Sequence, residues 1–428
     1  MFAPMSGDHS TSQSKTQHSA FFRQSGWMMI ATIGGGALMW AVHFLSKKVP
    51  PGEYGLFVSV LALISCVPTM PLQMMFTQQA ARAEAAGTPG QISYMLRLAF
   101  GVTLGLAALL CGVIYLAQGS IEQSLHLPNA TELWLVVAIL FFSVWLPILS
   151  GLLQGLQNFL WLGWTLILTA FGRFGVAAVL VLVLGWYSVG MLTGVLLGSL
   201  TGVVLGLWQT RPVWRRQPEA FVLRPVLAQV IPLLLGFGAV QFLFTADTLF
   251  VKAFFPADQT GFYGGAGTLA RALLWVVQPL SQVMFPKLVH SATRKEKSNL
   301  LGLVLLGTLI LAALGALSLT VLRHWVIRFV FTPEYEAVGA SILPWYAWAI
   351  VPLALANVLA NGVLAKGQFQ VVPVLVLLGA LYGVALYEWH GSLIQVLQIM
   401  GGFNLLLLAV CGWFTWRQPA PAAPVRPV

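Results

Sequence analysis

Charge is scarce in this chain. Asp, Glu, Lys and Arg together make up 8% of its 428 residues, whereas 58% are apolar and the mean hydropathy is +0.84. So few charges cannot clothe the water-facing surface of a domain of this length, which excludes a soluble globular protein. Cysteine is nearly absent as well: Cys66, Cys111 and Cys411 each fall inside an apolar segment, with no metal-ligand spacing. A disulfide scaffold and a metal-binding cysteine module are thereby excluded, and the three thiols read as small buried hydrophobes. No H-E-x-x-H, G-x-S-x-G, C-x-x-C or Walker A sequence occurs, and the seven histidines are scattered mostly through tails and loops. With loops this short and these signatures missing, transport is a better class than catalysis. Ten-residue segments of alternating polarity are missing too, and a lipid-exposed open strand has no partners for its backbone, so a membrane barrel is excluded.

What the chain does have is apolar runs repeatedly longer than the roughly 20 residues that cross a bilayer as a helix. Hydropathy predicts an all-α polytopic membrane protein with about twelve spans, near 26–46, 55–78, 93–117, 132–154, 158–184, 186–209, 226–252, 262–285, 299–321, 340–363, 370–387 and 392–415. Residues 1–24, rich in Ser, Gln, Thr and His and without the apolar core of a signal peptide, read as a flexible tail. The Pro/Ala-rich residues 418–428 read as a second one.

The formal net charge of +10 points away from nucleic acid, because the bases sit at the ends of apolar runs, where topology signals belong. With the amino terminus on the cytoplasmic side, that side collects fifteen of the 22 Lys and Arg residues and the opposite side five; Arg173 and Arg271 stay within spans. Both termini are therefore expected to be cytoplasmic. The basic stretch 211–224 divides six spans from six, giving an N-terminal lobe of 25–210 and a C-terminal lobe of 225–417. That stretch reads either as a topogenic loop or as an amphipathic segment with its arginines near lipid phosphates.

An internal echo links the halves. Gly52-Glu53-Tyr54-Gly55 opens the second span and Gly261-Phe262-Tyr263-Gly264 the eighth, with Tyr54 to Met75 and Tyr263 to Met284 equally separated. A parallel repeat of this kind predicts two pseudo-symmetric six-helix bundles flanking a cavity that opens alternately to either side.

Ionisable groups at membrane depth are costly and mark either a polar interior or a structural pair. Asp247 is the one acid inside a long apolar run; Arg173 and Arg271 put one guanidinium in each half. Arginine keeps its charge and offers a planar fork to phosphate oxygens, so Arg173 and Arg271 are candidate contacts for an anionic, phosphate-bearing substrate, with Gln278 and Gln282 beside Arg271 as amide donors. Asp247 has two open roles: orienting Arg271 as a charge pair, or taking up H+ or Na+ during transport. Lys252 is a candidate entrance contact or an interface anchor. No cofactor is expected.

The stretch Leu45 to Gly55 followed by Gln79-Ala80-Ala81-Arg82, and the stretch Ala246-Asp247-Thr248-Leu249-Phe250-Val251-Lys252 with Gly261-Phe262-Tyr263, Leu269-Ala270-Arg271 and Phe285-Pro286-Lys287, resemble the polysaccharide-transporter and O-antigen flippase branch of the multidrug/oligosaccharidyl-lipid/polysaccharide (MOP) exporter superfamily. That resemblance implies a flippase of the bacterial inner membrane carrying a polyprenyl-diphosphate-linked oligosaccharide, working beside glycosyltransferases and a polysaccharide polymerase. Two alternatives stay open: a cation-coupled multidrug or small-molecule exporter of the same superfamily, and a non-transporting scaffold in envelope assembly.

Overall fold

The structure, a computed structural model, describes residues 26–125, 130–219, 222–293, 300–365 and 367–417, with side chains described over 26–119, 131–219, 222–277, 301–364 and 367–417. Among the described residues all regular structure is helical. In chain order the helices are α1 (Gly26–Lys48, its end a 3-10 turn over Val42–Lys48), α2 (Pro51–Ser65), α3 (Thr69–Ala86), α4 (Gly90–Leu125), α5 (Ala130–Gly155), α6 (Phe159–Leu182) and α7 (Tyr187–Trp214). There follow α8 (Leu223–Phe254), α9 (Ala257–Thr293), α10 (Leu300–Val321), α11 (Arg323–Val330), α12 (Glu334–Ala365), α13 (Val372–Glu388) and α14 (Leu393–Trp416).

Among the described residues ten helices are long and apolar enough to cross a membrane, or eleven if α2 and α3 form one span. The chain is thus a multi-pass helical membrane protein. The expected eighth span, 262–285, lies within α9, but Gln278 and Gln282 fall among side chains outside the described residues.

The expected second span, 55–78, is not one helix. Pro68 disfavours helical geometry at Val67, so α2 ends at Ser65 and the helix restarts at Thr69. Pro71 then sits in the first turn of α3, where a missing amide donor costs nothing. The carbonyl of Ser65 at the cut end accepts a bond from the Gln241 amide of α8 at 3.3 Å. Beside it, Cys66 Sγ lies 3.1 Å from Thr245 Oγ1.

The stretch expected as a linker, 211–224, also begins in helix: α7 runs to Trp214, and α8 starts at Leu223. Two compact units emerge. The first comprises Met1–Leu45, Leu72–Gln118 and Ala130–Phe221, and the second Ser46–Pro71, Gly119–Asn129 and Val222–Val428, as far as these are described. The division falls at Leu45 and Pro71 as well as in the expected linker, because α2 packs on α8 and α9.

In the first unit α7 presents Gly190, Gly194, Gly198, Gly202 and Gly206, one every four residues and so on a single helical face. An added Cβ at Gly194 would stand 2.5 Å from the carbonyl oxygen of Arg173, and one at Gly198 2.6 Å from that of Thr169, both on α6. Bare glycine therefore lets two backbones touch, the small-residue packing by which helices associate without a hydrophobic driving force. Gly198→Leu is expected to lose about 3 kcal/mol through overpacking. Thermal unfolding in detergent measures it, and an unchanged midpoint would show that the two helices part at no cost. A core of the same unit forms where α3, α4 and α5 meet α7, from Phe76, Leu96, Trp145, Leu149, Leu152 and Val203.

The second unit repeats the device. An added Cβ at Gly55 would lie 2.6 Å from the backbone nitrogen of Gly261, while one at Gly261 would collide with the carbonyl of Pro51. Gly264 faces Val58 in the same way, at 3.2 Å. The two copies of the sequence echo are therefore the two sides of one crossing, α2 on α9.

Candidate functional site

The site grows from that crossing. Along α8 the buried positions Phe237, Val240, Leu243, Asp247 and Val251 recur every three or four residues, so Asp247 takes a place in the inward stripe that an apolar residue would otherwise hold. It is fully buried. On α9, Tyr263, Gly267 and Arg271 are successive turns of one face. Tyr263 and Arg271 both reach Asp247, and between them Gly267 leaves a gap: an added Cβ there would stand 2.9 Å from the hydroxyl of Tyr346. Through that gap α12 delivers Tyr346 to the same carboxylate.

Four hydrogen bonds converge on Asp247. Arg271 Nη2 donates to Oδ1 at 2.7 Å and to Oδ2 at 3.0 Å, and Tyr263 donates to Oδ2 at 2.8 Å. Tyr346 donates to Oδ2 as well. The Oδ2 atom thus has three donors, close to the capacity of a carboxylate oxygen. Arg271 Nη2 also donates to Thr248 Oγ1 at 2.9 Å. The guanidinium carbon lies 5.2 Å from the Phe244 ring centre and 5.4 Å from that of Tyr346, within cation–π range.

A buried charge pair is tolerated only when each partner's remaining polar valences are met. For Asp247 they are. For Arg271 they are met on one side, since its Nε is buried without a partner and 12% of its side chain stays exposed. The guanidinium is therefore anchored through Nη2, with donor capacity left over.

The remaining sequence candidates are distributed differently. Lys252, five residues beyond Asp247 on α8, is buried. Arg173 belongs to the first unit, where its backbone forms the α6 side of the glycine contact, so Arg173 and Arg271 are carried by different units. Outside those candidates, Trp145 on α5 is buried and donates its indole N–H to Thr103 at 3.0 Å. Gln154 accepts from Gln73 at 3.2 Å, a pairing across α3 and α5. Among the described residues no group of three His, Cys, Asp or Glu side chains is placed to hold a metal ion.

Reading the sequence found Asp247 and Arg271 but not the tyrosines. Tyr263 was visible only as part of the repeat. Its spacing of eight from Arg271, two turns on one face, was the available signal. Tyr346 lies 99 residues from Asp247 in sequence, with no local pattern to link them.

Comparison with solved structures finds the same fold in transporters of the MOP superfamily. A multidrug resistance MATE family transporter of that superfamily, inward-facing, aligns with a TM-score of 0.68 at 13% identity, covering 92% of this chain and 96% of that one. The lipid II flippase MurJ in an inward closed conformation aligns with a TM-score of 0.69 at 15% identity, covering 90% and 86%. A MOP superfamily transporter from Pyrococcus furiosus, described as having a binding pocket of reverse polarity, aligns at 0.55 and 14% identity, covering 92% and 94%. No curated protein matches the sequence. Residues 45–291, more than half of the chain and including the whole of the Asp247–Arg271–Tyr263 cluster, match the family model described as polysaccharide biosynthesis protein. With the MOP transporter fold around that stretch, this chain belongs to the polysaccharide biosynthesis protein family.

Proposed function

We propose that this chain translocates a polyprenyl-diphosphate-linked oligosaccharide, an O-antigen or exopolysaccharide repeat unit, across the bacterial inner membrane by alternating access, with both termini cytoplasmic. The observation that carries the reading is the family match over 45–291. Fold likeness alone does not choose a cargo, because a multidrug transporter and a lipid II flippase align equally well. The geometry of Arg271 supports an anionic headgroup. A guanidinium held by Asp247 through Nη2 is pre-oriented, so a diphosphate oxygen meets a fixed donor and spends little on ordering it. Arg173, carried by the other unit, is a separate candidate contact for phosphate oxygens. Glycosyltransferases and a polysaccharide polymerase are the enzymes such a flippase would serve.

The cation-coupled exporter reading needs a carboxylate with an oxygen to offer. In this conformation Asp247 Oδ2 accepts from three donors and Oδ1 from one, so a Na+ ion would meet a carboxylate filled at Oδ2 and already facing the Arg271 charge. Asp247 is accordingly assigned the role of holding Arg271.

Two measurements test these assignments in proteoliposomes that report leaflet translocation of a polyprenyl-diphosphate glycan, with a cationic drug as control. Arg271→Lys keeps the charge but loses the fork and is expected to lower glycan flux about tenfold to a hundredfold, the weight of a charge-assisted hydrogen bond. Undiminished flux at equal protein incorporation would remove Arg271 from the headgroup site. Asp247→Asn is expected to leave the response of flux to external Na+ and pH unchanged in form while lowering its amplitude. Loss of an ion dependence present in the parent would instead make Asp247 the coupling acid.

A further inference from the structure

The first unit carries a lipid-facing groove that this mechanism does not use. About 400 Å³ in volume, it lies between α4, α5 and α7, with Phe100, Trp145 and Trp214 as walls and Arg211 and Arg215 at one end. The three aromatic rings brace one another, at 5.6 Å between Phe100 and Trp145 and 6.1 Å between Trp145 and Trp214. The rim opens outward: Phe100 is 44% exposed and Leu207 38%. On a membrane span, apolar side chains exposed to this degree meet acyl chains.

The mouth of the groove is positively charged, with little to neutralise it. Arg211 and Arg215 are one helical turn apart and both exposed. Among the described residues neither has a carboxylate within 4.0 Å; Glu84, the nearby acid with an ion pair, is taken by Arg216 at 3.0 Å. A helix end attracts cations through its free carbonyls, which would hold the two arginines inward. Here Arg97 performs that task, donating to the carbonyls of Trp214 at 2.9 Å and Arg216 at 3.3 Å. Arg211 lies against the Trp208 ring at 5.8 Å, which leaves its charge at the rim.

We infer that this groove is a binding site for an anionic phospholipid of the cytoplasmic leaflet, with one acyl chain along the aromatic wall and the phosphate between Arg211 and Arg215. The base distribution along the chain assigns this end of α7 to the cytoplasmic side, where anionic lipids supply the complementary charge. A zwitterionic lipid fills the apolar wall equally well but gains less from the arginines. The occupant is independent of the cargo.

The test compares phosphatidylglycerol with phosphatidylcholine retained by the full-length protein after extraction from mixed vesicles, quantified by mass spectrometry. The parent is expected to enrich phosphatidylglycerol, and Arg211→Gln with Arg215→Gln to lower that enrichment about tenfold, since each base near an anionic surface contributes on the order of a few-fold to tenfold. Arg211→Lys with Arg215→Lys should keep most of it, and added salt should weaken it. Both positions are at the surface, so the variants fold irrespective of the outcome. Leu207→Trp, at an exposed wall position, fills the groove and should lose phosphatidylglycerol while the arginines remain. Equal retention of both lipids by the parent, or undiminished enrichment in the glutamine variant, would overturn the inference. So would displacement of phosphatidylglycerol by a polyprenyl phosphate, which would give the groove to the cargo instead.

Discussion

Asp247→Leu alone is expected to destabilise the protein by about 3–5 kcal/mol, whereas Asp247→Leu combined with Arg271→Leu should recover part of that loss yet fail to move the glycan. The asymmetry follows from what each change leaves behind. The single substitution strands a guanidinium that is 12% exposed and removes the acceptor of both Tyr263 and Tyr346. The double substitution removes the stranded charge and leaves only the two hydroxyls to find other acceptors, a penalty of about 1–3 kcal/mol each at most. Chemical or thermal unfolding in detergent of the parent, both singles and the double closes a double-mutant cycle and isolates the coupling of the pair. Flux through the double variant then separates stability from function. If it folds and still carries the glycan at the parental rate, the pair is only a structural clamp and the headgroup assignment of Arg271 falls. If the double is no more stable than the single, the cost lies in the stranded tyrosine hydroxyls rather than in the stranded guanidinium.

Gly261→Val is expected to be the most damaging glycine substitution of the second unit. A Cβ at this position meets the Pro51 carbonyl, a backbone atom that no side-chain rotation can move, and Gly55 approaches Gly261 from the other side. Relief requires α2 and α9 to separate. Overpacking of this kind costs about 3 kcal/mol, with the added methyls of valine raising it further. The chemistry is also affected, since Tyr263 follows two residues later and its hydroxyl would move off Asp247. Folded protein recovered from membranes should therefore fall sharply, and Gly55→Ala should act in the same direction with smaller effect. Parental yield and unfolding midpoint for Gly261→Val would show that this crossing does not hold the unit together.

Much of this was legible in the chain, for reasons that can be named. A bilayer penalises charge so strongly that Asp247, Arg173 and Arg271 stand out against an apolar background without any three-dimensional information. Spans likewise announce themselves through length and hydropathy, and the observed helices follow the expected ones within a few residues in most cases. α11 was not expected: Arg323–Val330 is eight residues with two arginines and a histidine, too short and too polar for a span-length window to register. The break between α2 and α3 was signalled by Pro68, but a proline in a membrane helix bends it as often as it cuts it.

The echo of Gly-Glu-Tyr-Gly in Gly-Phe-Tyr-Gly was visible as a repeat and read as symmetry. Its local meaning, two glycine faces laid against each other, required knowing that α2 packs on α9. The five glycines of α7 were visible in their spacing but pointed to no partner until α6 was found against them.

By itself, then, the sequence determined that this chain lives in a membrane, where most of its spans lie, and which few side chains carry charge within hydrocarbon, because the solvent imposes those choices residue by residue. Tertiary structure alone decided that Tyr346 joins Tyr263 and Arg271 on one carboxylate, that Ser46–Pro71 packs with the second unit, and that Arg97 donates to the carbonyls at the end of α7. Each of these rests on a contact between residues far apart in the chain, where apolar background gives no local pattern, and only the packing of backbones at bare glycines fixes which helices come close enough to touch.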